Sequence, residues 1–181
     1  MYNYGYFLQI IEYYYEPNLD PLYVIYMGKD KYENEILLRY GFPIDVWFHV
    51  DNLSSAHVYL RLPENVTYET IDKVVLEECC QIVKDNSIEG CKKDKVIVCY
   101  TPYENLLKTG EMEIGAVTFK KKDQVKYVPC IKNKDILKVI NKTYLETIVD
   151  HEGISSVKLV EKENYLKEQR LKQKKIYEEN V

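Results

Sequence analysis

Residues 45–62 constrain the fold more than any other stretch. Side chains alternate between the two faces of an extended chain, so Asp45, Trp47, His49 and Asp51 share one side and Val46, Phe48 and Val50 the other. After Asn52-Leu53-Ser54-Ser55 the alternation resumes, with His57, Tyr59 and Arg61 opposite Val58, Leu60 and Leu62. A period of two over both halves predicts two strands. Folding them into a hairpin about Leu53 sets Asp45 opposite Arg61, Trp47 opposite Tyr59 and His49 opposite His57. These are an ion pair, an aromatic pair and two imidazoles, all favourable cross-strand neighbours. A one-residue slip would turn half of each polar set inward, so parity is strongly specified, whereas a two-residue slip preserves it.

The apolar sets must face a core, which leaves the polar and aromatic sets together on the other surface. On an open surface, Trp47 and Tyr59 would stack on bases, and imidazole and guanidinium would contact phosphate. The loop with Ser54 and Ser55 would offer hydroxyls and amides. The competing reading is that a second layer covers this face and makes Trp47 and the histidines core residues. A third reading joins His49 and His57 with Asp45 or Asp51 at a metal, with no compelling third ligand.

Before this hairpin, residues 2–27 read as another, with strands near 6–15 and 22–27 and a turn rich in Pro, Asn and Asp between them. Asp30 suits a helix N-cap with Glu33 as its capping-box partner, and the helix should run to about Tyr40. Lys29 and Lys31 at its start form a candidate anion site. After Pro63, residues 68–85 read as an amphipathic helix through Ile71, Val75, Cys79 and Ile82. Lys95–Tyr100 is apolar on both faces and reads as a central strand. Residues 114–119 and 125–131 read as a further hairpin, and 134–149 as a helix through Ile136, Ile140, Tyr144 and Ile148. The predicted class is therefore α+β: a largely antiparallel sheet with helices on one side and a charged C-terminal helix. The boundary falls between a domain over 1–153 and an extension over 154–181. Residues 155–181 hold seven basic and five acidic side chains.

A net charge of -4 over 181 residues argues against nonspecific coating of nucleic acid, which phosphate neutralisation drives, but permits a local basic patch. The five cysteines form no C-x-x-C pair, so a zinc site of the usual spacing is not expected, and their odd count suits a reducing, cytoplasmic setting. No secretory leader or membrane segment is read. No cofactor and no catalytic residue is expected.

Several blocks resemble the NFACT-R (NFACT RNA-binding) domain family, closest to its stand-alone branch. They are Tyr26-Met27-Gly28-Lys29-Asp30-Lys31-Tyr32-Glu33-Asn34-Glu35, Asp45 to Val50, Ser54 to Leu60, Asn86-Ser87-Ile88, Gly90-Cys91-Lys92, Tyr100-Thr101-Pro102 and Met112 to Gly115. The resemblance covers about residues 22–145. It implies a noncatalytic RNA-binding module, with tRNA or ribosomal RNA as ligand and a link to translation or ribosome-associated quality control. It leaves DNA as an alternative ligand. It also places the family's polar positions on Lys29, Asn34, Asp45, Trp47, His49, Ser55 and His57. Glu111 and Glu113 stand where larger relatives carry a lysine, which should weaken phosphate contact there. The other functional reading is a protein-interaction adaptor that captures a protein partner through residues 155–181.

Overall fold

The computed structural model describes residues 6–12, 23–142 and 144–149, together with residues 165, 167, 168, 170–172, 175 and 176 towards the C-terminus. In chain order the elements are β1 (Tyr6–Glu12), β2 (Val24–Gly28), α1 (Lys31–Tyr40), β3 (Asp45–Val50), β4 (Val58–Arg61), α2 (Lys73–Asp85), β5 (Lys95–Pro102), β6 (Leu106–Leu107), β7 (Thr118–Phe119), β8 (Lys126–Ile131), α3 (Lys134–Ile140) and β9 (Tyr144–Val149). Among the described residues seven strands form one sheet in the order β8-β5-β3-β4-β2-β1-β9, with neighbouring strands antiparallel. The class is α+β, as the alternation predicted. The described C-terminal residues are helical.

Each sheet face has its own core. Val46, Phe48, Val58 and Leu60 pack against Val75, Cys79, Ile82 and Val83 of α2 and Ile140 of α3. On the other face Trp47, Tyr59 and Tyr26 pack against Leu37 of α1, Leu106 of β6 and Phe119 of β7. The helices therefore lie on both sides of the sheet, not on one. The first helix carries its own apolar positions, Leu37 and Leu38, and these meet the aromatic half of the hairpin. Gln81 secures the α2 side by donating to the Ile131 carbonyl at 2.6 Å and accepting from the Asn133 amide at 3.0 Å. Burial pushes the Cys99 thiol up to about 11 and the Cys130 thiol to about 12, which leaves both as neutral packing groups.

Three segments depart from the sequence reading. First, α2 begins at Lys73, not near 68. Thr67 and Thr70 close a local turn through backbone and side-chain bonds, and Asp72 caps the helix through the Val74 amide at 2.8 Å. Second, the expected hairpin of 114–119 with 125–131 does not form. β7 pairs with β6, and β8 pairs with β5. Asn105 holds the crossing by accepting from the Lys121 amide and donating to the Lys121 carbonyl, both at 2.8 Å. Third, residues 144–149 are a strand against β1, not the end of a helix. A spacing of four is near one helical turn and also two strand repeats, so Ile140, Tyr144 and Ile148 fit both. The β-branched Thr147, Ile148 and Val149 find a waiting sheet edge. The turn expected between the first two strands falls on residues 13–22, which lie outside the described residues.

Glu78 is a misfit in the α2 core. It is 4% exposed, and its Oε2 has no hydrogen-bond partner. Burial, and then the nearby charge of Asp72, raise its carboxyl to about 7 from an ordinary 4.5. A raised folded value favours the native state below 4.5, and that advantage is lost as pH rises through 7. Glu78→Gln is therefore expected to stabilise by about 1–2 kcal/mol at pH 8 and by almost nothing at pH 4. Urea midpoints at the two pH values check this, and equal gains at both would contradict it.

Candidate functional site

The hairpin register is as the alternation predicted: Asp45 opposes Arg61, and Trp47 opposes Tyr59. The His49 and His57 rings lie edge to face with centroids 5.0 Å apart. The surface they share is not an open aromatic platform, however. Trp47 is 2% exposed and Tyr59 is fully buried. Helix α1 and the β6–β7 pair cover them, and the Phe119 ring meets the Trp47 indole edge to face. Trp47 as an exposed stacking residue is therefore corrected to a core residue, as the covered-face reading has it.

Asp45 and Arg61 are displaced from the expected site in the same way. Asp45 is a buried hub: its carboxylate accepts from the Tyr26 hydroxyl at 2.5 Å, the Phe42 amide at 2.8 Å and the Arg61 Nε at 3.0 Å. The Arg61 guanidinium lies 3.9 Å above the Phe42 ring, and Tyr165 of the C-terminal helix packs edge-on to that ring. This cluster sits at the start of β3, one strand length from His49.

The other seven expected residues meet. Lys29, Lys31, Asn34, His49, Ser54, Ser55 and His57 line a pocket of about 440 Å³ between the start of α1, the β3–β4 loop and the end of α2. Met27, Gly28, Asp30, Ala56, Asn86, Ile88, Ile114 and Gly115 complete it. Strand parity does not reach these as site residues, although all of them lie in the blocks that carry the family resemblance. Gly115 has the clearest local signal, with φ +85. Its amide donates to Glu35 Oε1 at 2.6 Å, and Lys108 bridges the same carboxylate to the Glu113 and Ala116 carbonyls. Together these bonds hold the loop against α1 as one wall.

Hydrogen bonding decides which groups face a ligand. The Asp30 side chain accepts from the Tyr32 and Glu33 amides, and Glu33 takes the Lys29 amide at 2.6 Å. The reciprocal partner of Glu33 is thus Lys29, one residue before the expected Asp30. Two carboxylates already occupy the helix start, so the anion site rests on the exposed ammonium groups of Lys29 and Lys31, not on backbone amides. Ser55 accepts from the Val50 amide and donates to the Ala56 carbonyl, both at 3.0 Å, so its hydroxyl shapes the loop. The Ser54 carbonyl takes the Ser87 hydroxyl at 2.6 Å, which ties the loop to the end of α2.

The histidines differ in role. Trp47 Nε1 donates to His57 Nδ1 at 2.8 Å, which places the neutral ring's proton on Nε2. Burial, and then repulsion from His49, hold His57 near 3, below the ordinary 6.5. His57 is therefore a neutral support. His49 Nδ1 lies 2.7 Å from the Val50 carbonyl, so this nitrogen carries the proton. Burial lowers its pKa too, and the neutral ring keeps Nε2 as an acceptor. Asn34 is 4% exposed; its Oδ1 accepts from Tyr59 at 2.8 Å, while its Nδ2 has no hydrogen-bond partner. The pocket thus combines two cations, an unmatched amide donor and a neutral imidazole acceptor. The His57 Nε2 carries the proton, so His49 Nε2 is the one ring acceptor of the pair, and no group of three or more ligating side chains is placed for a metal among the described residues.

Residues 11–121 match the model of the NFACT protein RNA binding domain. The chain belongs to this family. Among its relatives, a coiled-coil domain-containing protein 25 homolog of Dictyostelium discoideum is 53% identical over 133 residues, covering 73% of this chain and 65% of that protein. Coiled-coil domain-containing protein 25 of Bos taurus is 49% identical over 148 residues, covering 81% of this chain and 71% of the relative. The chain thus spans about two thirds of the length of these relatives. The C-terminal part of the fibronectin/fibrinogen-binding protein from Streptococcus suis shares the fold, with a TM-score of 0.54, 18% identity, and coverage of 65% of this chain and 45% of that one. Blocks of the NFACT-R resemblance at 26–35, 45–50, 54–60, 86–88 and 112–115 all reach the pocket, either lining it or, like Trp47 and Tyr59, supporting a lining residue.

Proposed function

We propose that this NFACT RNA-binding domain holds RNA, noncatalytically, at the pocket beside α1, as part of translation or its quality control in the cytoplasm. The observation that carries the reading is the convergence of seven residues singled out by sequence on one recess. Lys29 and Lys31 take phosphate at the rim, and Asn34, His49 and Ser54 make polar contacts inside. Trp47, Ser55 and His57 hold those groups in place, while Asp45 and Arg61 fix the far end of the strands. A net charge of -4 and two rim cations fit contact with few phosphates. No helix among the described residues is long and apolar enough to cross a membrane.

Filter binding of structured RNA at several salt concentrations tests the proposal. Changing Lys29 and Lys31 together to alanine is expected to weaken binding and to flatten the plot of log affinity against log salt by about 1–2 units of slope. His49→Ala should weaken binding with little change in slope. An unchanged slope after loss of both lysines would remove the phosphate role. Removal of residues 155–181 should leave RNA binding intact, because Tyr165 contacts the Asp45–Arg61 end, away from the pocket. Loss of protein-partner capture on that truncation is the outcome expected of the adaptor role for the C-terminal helix.

A further inference from the structure

The sheet face that carries His49 continues past the pocket. His49 opposes Cys99 on β5, and Cys99 opposes Tyr127 on β8, so the three side chains stand in a row on one face. Ile97 opposes Pro129, and Lys95 opposes Ile131, on that same face. The layer of α1, β6 and β7 that buries Trp47 reaches Cys99 and, just before β8, Val125, two residues ahead of Tyr127. Beyond it Tyr127 is 57% exposed, Ile97 39% and Ile131 65%. The result is a ring lying on an apolar strip that no described element covers.

We propose that single-stranded RNA leaves the pocket at His49 and stacks a base on Tyr127, bridging the buried Cys99 between them. This rests on the RNA reading of the pocket and extends it to β8, which lies beyond the matched residues 11–121. Two interstrand spacings separate His49 from Tyr127, about 10 Å, a short run of unpaired strand. Base stacking on an exposed ring tolerates any sequence because every base has a π-face, and the phosphate charge is met by the lysines at the pocket rim. That suits this strip, where Lys95 is the single cation and the Asp51 carboxylate flanks Tyr127. A duplex keeps its bases stacked on one another and would meet the strip only through phosphates, which Asp51 opposes. Pairing of β8 with a second copy is disfavoured because Pro129 removes an N–H from this edge strand.

The test is fluorescence anisotropy with a six-nucleotide single strand and with a blunt hairpin of matched sequence, at fixed salt. Tyr127→Ala, Tyr127→Phe and the Lys29→Ala/Lys31→Ala protein are compared with the unaltered chain. Tyr127→Ala should weaken the single strand about fivefold to tenfold and leave the hairpin unchanged, and Tyr127→Phe should restore binding. The ring is exposed, so its removal leaves the core packed, and thermal melting of each variant checks that. If the lysine variant loses RNA while Tyr127→Ala does not, the Tyr127 contact is wrong and the pocket reading stands. Equal weakening of strand and hairpin also overturns the stacking contact. Sedimentation that changes on Tyr127→Ala without a change in affinity would assign the strip to self-association instead. No binding of either RNA by the unaltered chain overturns both readings.

Discussion

Asp45→Ala is expected to destabilise the domain by about 3–5 kcal/mol. The carboxylate is 1% exposed and serves the Tyr26 hydroxyl, the Phe42 amide and the Arg61 guanidinium at once. Its loss takes a shared acceptor from all three, and each buried polar group so affected costs about 1–3 kcal/mol, with Arg61, whose side chain is 24% exposed, at the low end. The Arg61 charge is part of the penalty, because it was desolvated against a partner that no longer exists. Asp45→Asn keeps the shape and one acceptor oxygen but not the charge, so it should fall between the two. Urea denaturation of the three proteins checks the order. A loss below about 1 kcal/mol for alanine would mean that the cluster relaxes and hydrates. RNA affinity measured well below the unfolding midpoint should change little, because the cluster is remote from the pocket.

Trp47→Ala should cost about as much, roughly 3–5 kcal/mol, because it opens a cavity beneath α1 and β7. Trp47→Phe is the informative variant. It keeps most of the packing but removes the Nε1 donor to His57, a cost of about 1–2 kcal/mol. It should also alter acid stability. Folding holds His57 neutral, at about 3 against an ordinary 6.5. A depressed histidine supports the native state fully above 6.5, and that support is lost as pH falls towards 3 because the unfolded chain takes up the proton first. His49 acts with the same sign. Glu78 acts with the opposite sign between 4.5 and 7, so the histidine effect is cleanest in the Glu78→Gln background. There, Trp47→Phe should ease protonation of His57 in the folded state, so the acid limb becomes shallower and the cost of the variant shrinks as pH falls from 7 towards 3. An unchanged acid limb would show that the Trp47 bond does not set the protonation state of His57.

These two residues also explain why the candidate site was only partly legible. Period-two alternation placed Trp47, His49, His57 and Asp45 on one face, and the register is as expected. Whether that face is open was a separate matter. It depends on α1 and on Leu106, Val117 and Phe119, which come from distant parts of the chain. The pocket residues Asn86, Ile88 and Ile114 belong to two further loops, and strand parity carries no information about them. Tyr127 was read into a hairpin with 114–119; paired instead with β5, it falls in line with His49.

The amino-acid sequence by itself determined the β3–β4 register, the Asp30 cap of α1 and the α+β class, because each follows from short-range geometry: side-chain alternation, cap chemistry and helical periodicity. Tertiary structure alone decided that Trp47 and Asp45 are buried, that Ser55 and His57 support the pocket while Asn34 and His49 keep a donor and an acceptor for it, and that residues 144–149 close the sheet edge at β1. Exposure and hydrogen-bond availability depend on which distant segments pack against a residue, and local pattern does not record that.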